Sequence, residues 1–424
     1  MPTEWSLGRP SRPRVTPGRD AEPDRGLPRY SRLIVTASEI PAPTARPSAA
    51  RRSAAPRKPG RSRIVPPILV RQVRNGIEES VHRGDIVEVD VDGRLIRGLG
   101  DPDRLVTLRS CVKPFGVVAL IEAGGIEAFD LEPAEIAVMA SSHSGEDLHV
   151  RTIQGLYRRA GASQSLIATG TEGMPLDPLT ATRLARDGEK PGPIRHMCSG
   201  QHSVWILLSK LKGWDPTDYW RDDHPSQVAC RETVARAFGT TPTKLRTAID
   251  SCGLLTYAFP LREVARAFAF LADPSAVRPG DPRASLGPAL AIVRDAMMAN
   301  PEMVGGTRDR LDTSLMKALP GRIVSKSGAE ALRGLAILPG ARASGTGAAA
   351  TGMAIKIEDG DGFDRGTWAA SIEALVQAGV LDGQPLRMLA RYAHPTISDP
   401  HGRLAGEAIA KFELAPLGEL LGKA

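Results

Sequence analysis

Arg109-Ser110-Cys111-Val112-Lys113-Pro114-Phe115 is the stretch on which the reading of the chain turns. It follows a turn-rich segment, Gly98 to Asp103, and opens an apolar run from Val117 to Ala123. The run predicts a helix with Ser110 near its cap and Pro114 in its first turn, where a missing N–H costs little. Ser110 and Lys113, three residues apart, then share one helical face. A serine hydroxyl is a weak nucleophile until a base takes its proton, and a partly desolvated lysine can be that base. S-x-x-K alone is common, and an ordinary capped helix with a solvated lysine has the same pattern.

Outward from this stretch, the upstream sequence reads as antiparallel strands. Ile68 to Arg74 is a strand candidate, and Asn75-Gly76 is a hairpin turn leading into Ile77 to His82. A second hairpin is expected from Ile86 to Val91, turning at Asp92-Gly93 into Arg94 to Gly98. Downstream, Pro133 to Met139 reads as a helix that delivers Ser141, Ser142 and His143 to a short loop. Ser144 and Asp147 then cap a helix from about Gly145 to Arg159. Arg195 to His202 puts Cys198 and two histidines before the helix Ser203 to Leu211, as a polar pocket floor, a metal site or a buried cysteine would. Helices follow over Pro225 to Phe238, with Cys230 in the core, then Leu261 to Leu271 and Gly287 to Met298. Asp250 and Cys252 share a glycine turn between the first two. A strand ending in Lys326-Ser327-Gly328, two more at Leu335 to Leu338 and Ala354 to Ile357, and helices Gly366 to Gly379 and Pro385 to Tyr392 close the domain.

The 424 residues are 42% hydrophobic but only 4% aromatic, so aliphatic residues and alanine must fill the core. No apolar run approaches the roughly 18 residues a membrane helix needs, which predicts a soluble, cytoplasmic protein. The pI of about 9.4 is misleading about partners. Residues 1–63 hold 13 Arg and 1 Lys against 5 acidic residues, so of the total charge of +7 only −2 is left for the remainder. Eleven of the 35 prolines fall in the same segment, which reads as a disordered basic tail. It is taken as an idle extension, with residues 64–424 as the catalytic domain and no nucleic-acid partner. The four cysteines form no C-x-x-C pair, which points to packing, metal or catalysis rather than disulfides.

In chain order the body holds S-x-x-K (Ser110, Lys113), S-x-S (Ser142, Ser144) and K-S-G (Lys326 to Gly328). That order is similar to the boxes of serine β-lactamases and penicillin-binding proteins. The body also carries Ser142-His143-Ser144-Gly145-Glu146, Met197-Cys198-Ser199-Gly200-Gln201-His202, Asp250-Ser251-Cys252-Gly253 and Lys356-Ile357-Glu358-Asp359-Gly360-Asp361-Gly362. With these, residues 66–416 resemble the Rhizobium-etli-type L-asparaginases, the asparaginase II family.

The resemblance implies an α+β, serine β-lactamase-like fold, an antiparallel sheet flanked by helices plus a helical subdomain. It implies a homodimer that hydrolyses L-asparagine to L-aspartate and ammonia. Two Ser–Lys pairs carry over as Ser110 with Lys113 and Ser142 with Lys326. A zinc site carries over as Cys198 and Cys252. The family's third ligand, a lysine three residues past the first cysteine, is Gln201 here. An amide oxygen is a weaker, neutral ligand, so zinc bound weakly, with help from a histidine or water, or not at all, stays open. Arg109, Asp250, His143 and His202 are the candidate substrate-binding residues. Two other readings remain: a different serine amidohydrolase of the same fold, or a catalytically idle metabolite-binding protein.

Overall fold

The computed structural model describes residues 65–170, 174–342, 348–362 and 364–416, so the basic tail lies outside the described residues. In chain order the strands are β1 (Ile68–Arg74), β2 (Ile77–Asp90), β3 (Leu95–Leu99), β4 (Leu105–Thr107), β5 (Arg246–Ile249), β6 (Leu255–Pro260), β7 (Ile323–Gly328), β8 (Leu332–Ile337), β9 (Thr351–Ile357), β10 (Thr396–Ser398) and β11 (Leu404–Ala410). At the β1–β2 tip Asn75 (φ 47°) and Gly76 (φ 80°) both take left-handed backbone, as an Asn-Gly hairpin requires. β2 does not end at His82. It continues for 14 residues, so the two hairpins expected from the sequence share one strand. Its first half pairs with β1 and its second half with both β3 and β9. The handover falls at Gly84, where a Cβ would sit 2.3 Å from Lys356 O.

The main sheet runs β10-β11-β1-β2-β9-β8-β7, with β3 beside β2, and its pairings are antiparallel. Helices flank it: α1 (Lys113–Glu122), α2 (Pro133–Met139), α3 (Asp147–Ala160), α4 (Ser199–Lys212), α5 (Pro225–Ala237), α6 (Leu261–Ala272), α7 (Gly287–Ala299) and α8 (Arg365–Gln377). α6 lies so close to the sheet that a Cβ on Gly352 would meet Ala265 O at 1.9 Å. α1 is buried all round from Lys113 to Leu120 and packs against α4, α5 and α7, as an apolar helix must. This is the expected α+β, serine β-lactamase-like fold, with the Ser110–Lys113 helix at the centre of a helical block.

One element is new and two local expectations fail. Arg246 to Ile249, given no element from the sequence, is an exposed edge strand in a second sheet, β4-β6-β5. α4 begins at Ser199 rather than Ser203, which brings Gln201 and His202 onto the helix. The chain also does not close on a helix. Two short helices, Gly383–Met388 and Ala390–Ala393, give way to β10 and β11, and β11 pairs with β1. The segment Leu-Ala-Gly-Glu-Ala-Ile-Ala of β11 holds a single β-branched residue, too little to announce a strand.

Candidate active site

The entry to α1 is a 3-10 turn, Arg109–Val112. Arg109 has φ 45°, a strained conformation for a side chain of this size. Its partners hold it there. The backbone N–H donates to Thr256 Oγ1 (2.9 Å), and the guanidinium donates to both carboxylate oxygens of Asp250 (2.9 and 3.2 Å) and to Ser251 Oγ (2.9 Å). Thr256 lies on β6 and Asp250 on the turn before it, so the β5–β6 hairpin positions the residue ahead of Ser110. The bidentate bond to Asp250 raises the Arg109 pKa.

Ser110 follows. It does not cap α1, whose N-cap is Val112. Its N–H precedes the first bond of the turn, Cys111 N to Leu108 O (3.0 Å), and neither that N–H nor the hydroxyl has a partner among the described residues.

The expected pairing of Ser110 with Lys113 is not what the side chains make. Lys113 Nζ donates to Ser141 O (2.7 Å), Ser142 Oγ (3.2 Å) and Cys198 Sγ (3.2 Å), which uses all three ammonium donors. The pairing of Ser142 with Lys326 is present, since Lys326 Nζ donates to Ser142 Oγ at 2.8 Å and to Ser327 O at 2.8 Å. Ser142 therefore stands between two lysines, and Ser110 stands free beside them. Burial pushes the Lys326 pKa down to about 7, with the Lys113 charge adding to the shift and Asp312 opposing it.

Two residues with no sequence motif hold this cluster. Asp312, fully buried, accepts from Ser325 Oγ (2.6 Å), Ser327 N (3.0 Å) and Ser327 Oγ (2.6 Å), and pairs with Arg333. It thereby fixes the strand on which Lys326 lies, while Arg333 and these bonds keep its own pKa well down against the opposing effect of burial. Arg310 donates to Ser142 O at 2.8 Å. A single acid or arginine in Asp309-Arg310-Leu311-Asp312 looks like surface in the sequence.

His143 and His202, expected to bind substrate, are both fully buried and hydrogen-bonded within the protein. His143 Nδ1 accepts from Gly145 N (3.1 Å), so Nε2 carries the proton and donates to Ser199 Oγ (2.8 Å). Burial, with His149 stacked on it, holds its pKa well below the usual value. His202 Nδ1 pairs with the Tyr219 hydroxyl behind α4. Cys111 packs: its thiol reaches Lys326 O at 3.2 Å, and burial pushes its pKa up to about 12.

Cys198 lies against Lys113, with Cys252 beside it, and the two thiols are shifted in opposite directions. The hydrogen bond from Cys252, helped by the Lys113 charge, lowers the Cys198 pKa, and the same bond raises that of Cys252. Gln201 is buried next to them with Oε1 unpaired.

Residues 70–410 match the L-asparaginase II family. The chain belongs to that family. No curated protein matches it. Among solved structures, that of Mglu aligns at TM-score 0.38 and 15% identity, over 72% of this chain and 69% of that one. A probable glutaminase from Bacillus subtilis complexed with 6-diazo-5-oxo-L-norleucine aligns at TM-score 0.34 and 13% identity, over 70% of this chain and 84% of that one. Superpositions this loose say nothing about substrate.

For an L-asparaginase II chain, the residues at the position of the implied zinc are a poor set for that ion. Zinc takes deprotonated thiolates with histidine or carboxylate partners. Here Lys113 Nζ already contacts Cys198 Sγ at 3.2 Å, and the third donor, Gln201, is a neutral amide. Among the described residues, no three Cys, His, Asp or Glu side chains converge as a metal would need. The described helices include none long and apolar enough to cross a membrane.

Proposed function

We propose that this amidohydrolase hydrolyses the side-chain amide of L-asparagine, giving L-aspartate and ammonia, through Ser–Lys acyl transfer in a cytoplasmic homodimer. The observation that carries the mechanism is the placing of Ser142 Oγ, within reach of both Lys113 and Lys326. A hydroxyl offers two acceptor sites and one proton. With both acceptor sites filled by lysine N–H groups, Ser142 has only its proton to give, which suits a relay and not an attacking oxygen. Ser110, with an unpaired hydroxyl, is the nucleophile.

On substrate binding Lys113 releases one proton to solvent and the catalytic contacts tighten. Ser110 Oγ then attacks the amide carbon as its own proton passes to the freed lone pair of the Lys113 amine. The unpaired N–H of Ser110 stabilises the developing oxyanion. Lys113 returns the proton through Ser142 to the leaving nitrogen, the C–N bond breaks, ammonia departs, and water hydrolyses the ester. At the mouth, the half-buried Arg109–Asp250 pair complements an amino-acid zwitterion, with α-carboxylate on the guanidinium and α-ammonium on the carboxylate.

The test is ammonia release from L-asparagine and from L-glutamine by the purified protein, beside Ser110→Ala. Release from asparagine that disappears in the variant supports the reading, and preferential release from glutamine changes the substrate. Binding of asparagine in calorimetry with no turnover would instead support a metabolite-binding protein.

A further inference from the structure

Among the described strands, β5 alone has every residue exposed, and Ile249 keeps 79% of its surface. β5 is the outer strand of the β4-β6-β5 sheet. It pairs with β6 without a bulge and contains no proline, so neither device blunts its free edge. Eight of the nine residues 241–249 are exposed, so the uncovered surface is wider than the strand itself.

The ladder fixes which backbone groups this edge offers. In an antiparallel pair, residues bonded across the ladder alternate with residues whose N–H and C=O point the other way. Asp250 N donates inward to Leu254 O at 2.8 Å. On β6, Tyr257 is the partner of Thr247, and it turns its carbonyl away from β5 to accept from Leu108 N at 2.8 Å. Arg246, Ala248 and Asp250 therefore bond inward, while Thr247 and Ile249 present their N–H and C=O groups outward.

Those groups select a partner. A second copy of β5, antiparallel across a twofold axis, has to pair outward residues with outward residues. Thr247 can face itself, Ile249 can face itself, or Thr247 can face Ile249. Only the last register uses every outward N–H and C=O of both strands. It also sets Arg246 opposite Asp250 of the partner subunit, an opposite-charge pair, and places Ala248 on the axis against the partner subunit's Ala248.

We propose that two copies of this chain pair through their β5 edges in that register. Arg246 of the partner subunit then lies beside the Arg109–Asp250 pair, and each mouth is built from both subunits. The added guanidinium brings positive charge to the face where the α-carboxylate of the substrate docks. The proposal rests on the homodimer reading above and names its interface.

Cysteine cross-linking of the full chain tests it. Residues facing each other in a non-hydrogen-bonded antiparallel pair have Cα atoms about 4.5 Å apart, within the span of a disulfide. Ala248→Cys should therefore give a covalent dimer on non-reducing gels after mild oxidation with copper phenanthroline. Thr247→Cys and Ile249→Cys, each facing the other position and not itself, should stay unlinked. The native cysteines are buried and leave the background clean. Sedimentation of the wild-type chain separates two kinds of failure. A wild-type dimer in which Ala248→Cys fails to cross-link, or in which all three variants link alike, overturns the interface and leaves the homodimer reading standing. A wild-type monomer overturns both. Arg246→Ala within the cross-linked Ala248→Cys dimer then isolates the arginine. KM for L-asparagine should rise roughly tenfold, and an unchanged KM overturns the shared mouth.

Discussion

Lys113 divides the centre of this protein into two unlike halves. On the serine side, Ser142, Lys326, Ser327, Asp312 and Arg333 satisfy one another within 3.2 Å or less. On the other side, the Cys198 and Cys252 thiols are shifted in opposite directions, while Gln201 Oε1 and Gln227 Nε2 are unpaired. Both halves come from sequence boxes that resemble the same family. The serine boxes place Ser142, Lys326 and Ser327 in one hydrogen-bonded cluster, though Ser141 Oγ and Arg333 Nε beside it stay unpaired. The cysteine box departs at one residue, Gln201, whose Oε1 is also unpaired. The physical difference is one of charge. A second lysine in that half would confront Lys113 across the thiols, whereas an amide removes the repulsion and leaves dipoles that need partners.

The largest effect expected is on the serine side. Ser110→Ala and Lys113→Met should each lower kcat/KM by roughly 10³-fold or more, because the nucleophile and its base act as a unit. Ser142→Ala should lower kcat comparably with little change in KM, since the relay acts only as the C–N bond breaks. Peptide mass spectrometry of enzyme trapped with a slow acylating analogue should find the ester on Ser110. An ester on Ser142 would reverse the roles and void the argument from filled acceptor sites.

Next in size is the pH dependence. When Lys113 accepts the Ser110 proton, a charged Lys326 would place two ammonium groups on Ser142. Activity therefore requires neutral Lys326 and should rise as pH passes through about 7. Asp312 favours the charged form, so Asp312→Asn should move that limb to lower pH as well as loosen the strand. Stability has the same origin. Lys326 holds fewer protons folded than unfolded between about 7 and the ordinary lysine value of 10.5, so stability should increase with pH across that window. Lys326→Met should flatten the increase in denaturant melts, and an unchanged slope would detach it from Lys326.

Smaller again is the contribution of the mouth. Arg109→Met removes the guanidinium from Asp250 and should raise KM roughly 100-fold with kcat changed only a few-fold, the signature of lost ground-state binding. A collapse of kcat instead would mean that the strained φ of Arg109 positions Ser110, and that the residue belongs to the serine side.

The sequence carried the serine side well because its boxes are short and local. Ser110 and Lys113 share a turn, and Lys326 to Gly328 ends a strand. It could not name the resting contacts of Lys113, because a four-carbon side chain chooses among neighbours that only the fold brings together, here Ser141, Ser142 and Cys198. Asp312, Arg310 and Gln227 were invisible for a related reason: each is one polar residue with no companion at fixed spacing. The partners of His143 and His202 were likewise not legible, since Ser199 and Tyr219 meet them only in the fold. The β5–β6 hairpin was lost because all four residues of β5 are exposed, so no buried alternation marks it.

The smallest effect sharpens the contrast between the halves through a cysteine on the serine side. Cys111 lies inside the S-x-x-K box, one residue from the nucleophile, yet its thiol faces Lys326 O and Leu332 O and is fully buried. A thiol held up to about 12 carries almost no thiolate at neutral pH. Cys198, in contact with the Lys113 ammonium, is shifted the opposite way. Cys111→Ala should therefore cost about 1–2 kcal/mol of stability from lost packing, with turnover within about twofold of wild type. A large loss of turnover, or alkylation of Cys111 in the native protein, would mean that the thiol reaches the cleft. The rule separating the halves would then be access to Lys113, with satisfaction of its neighbours only a consequence.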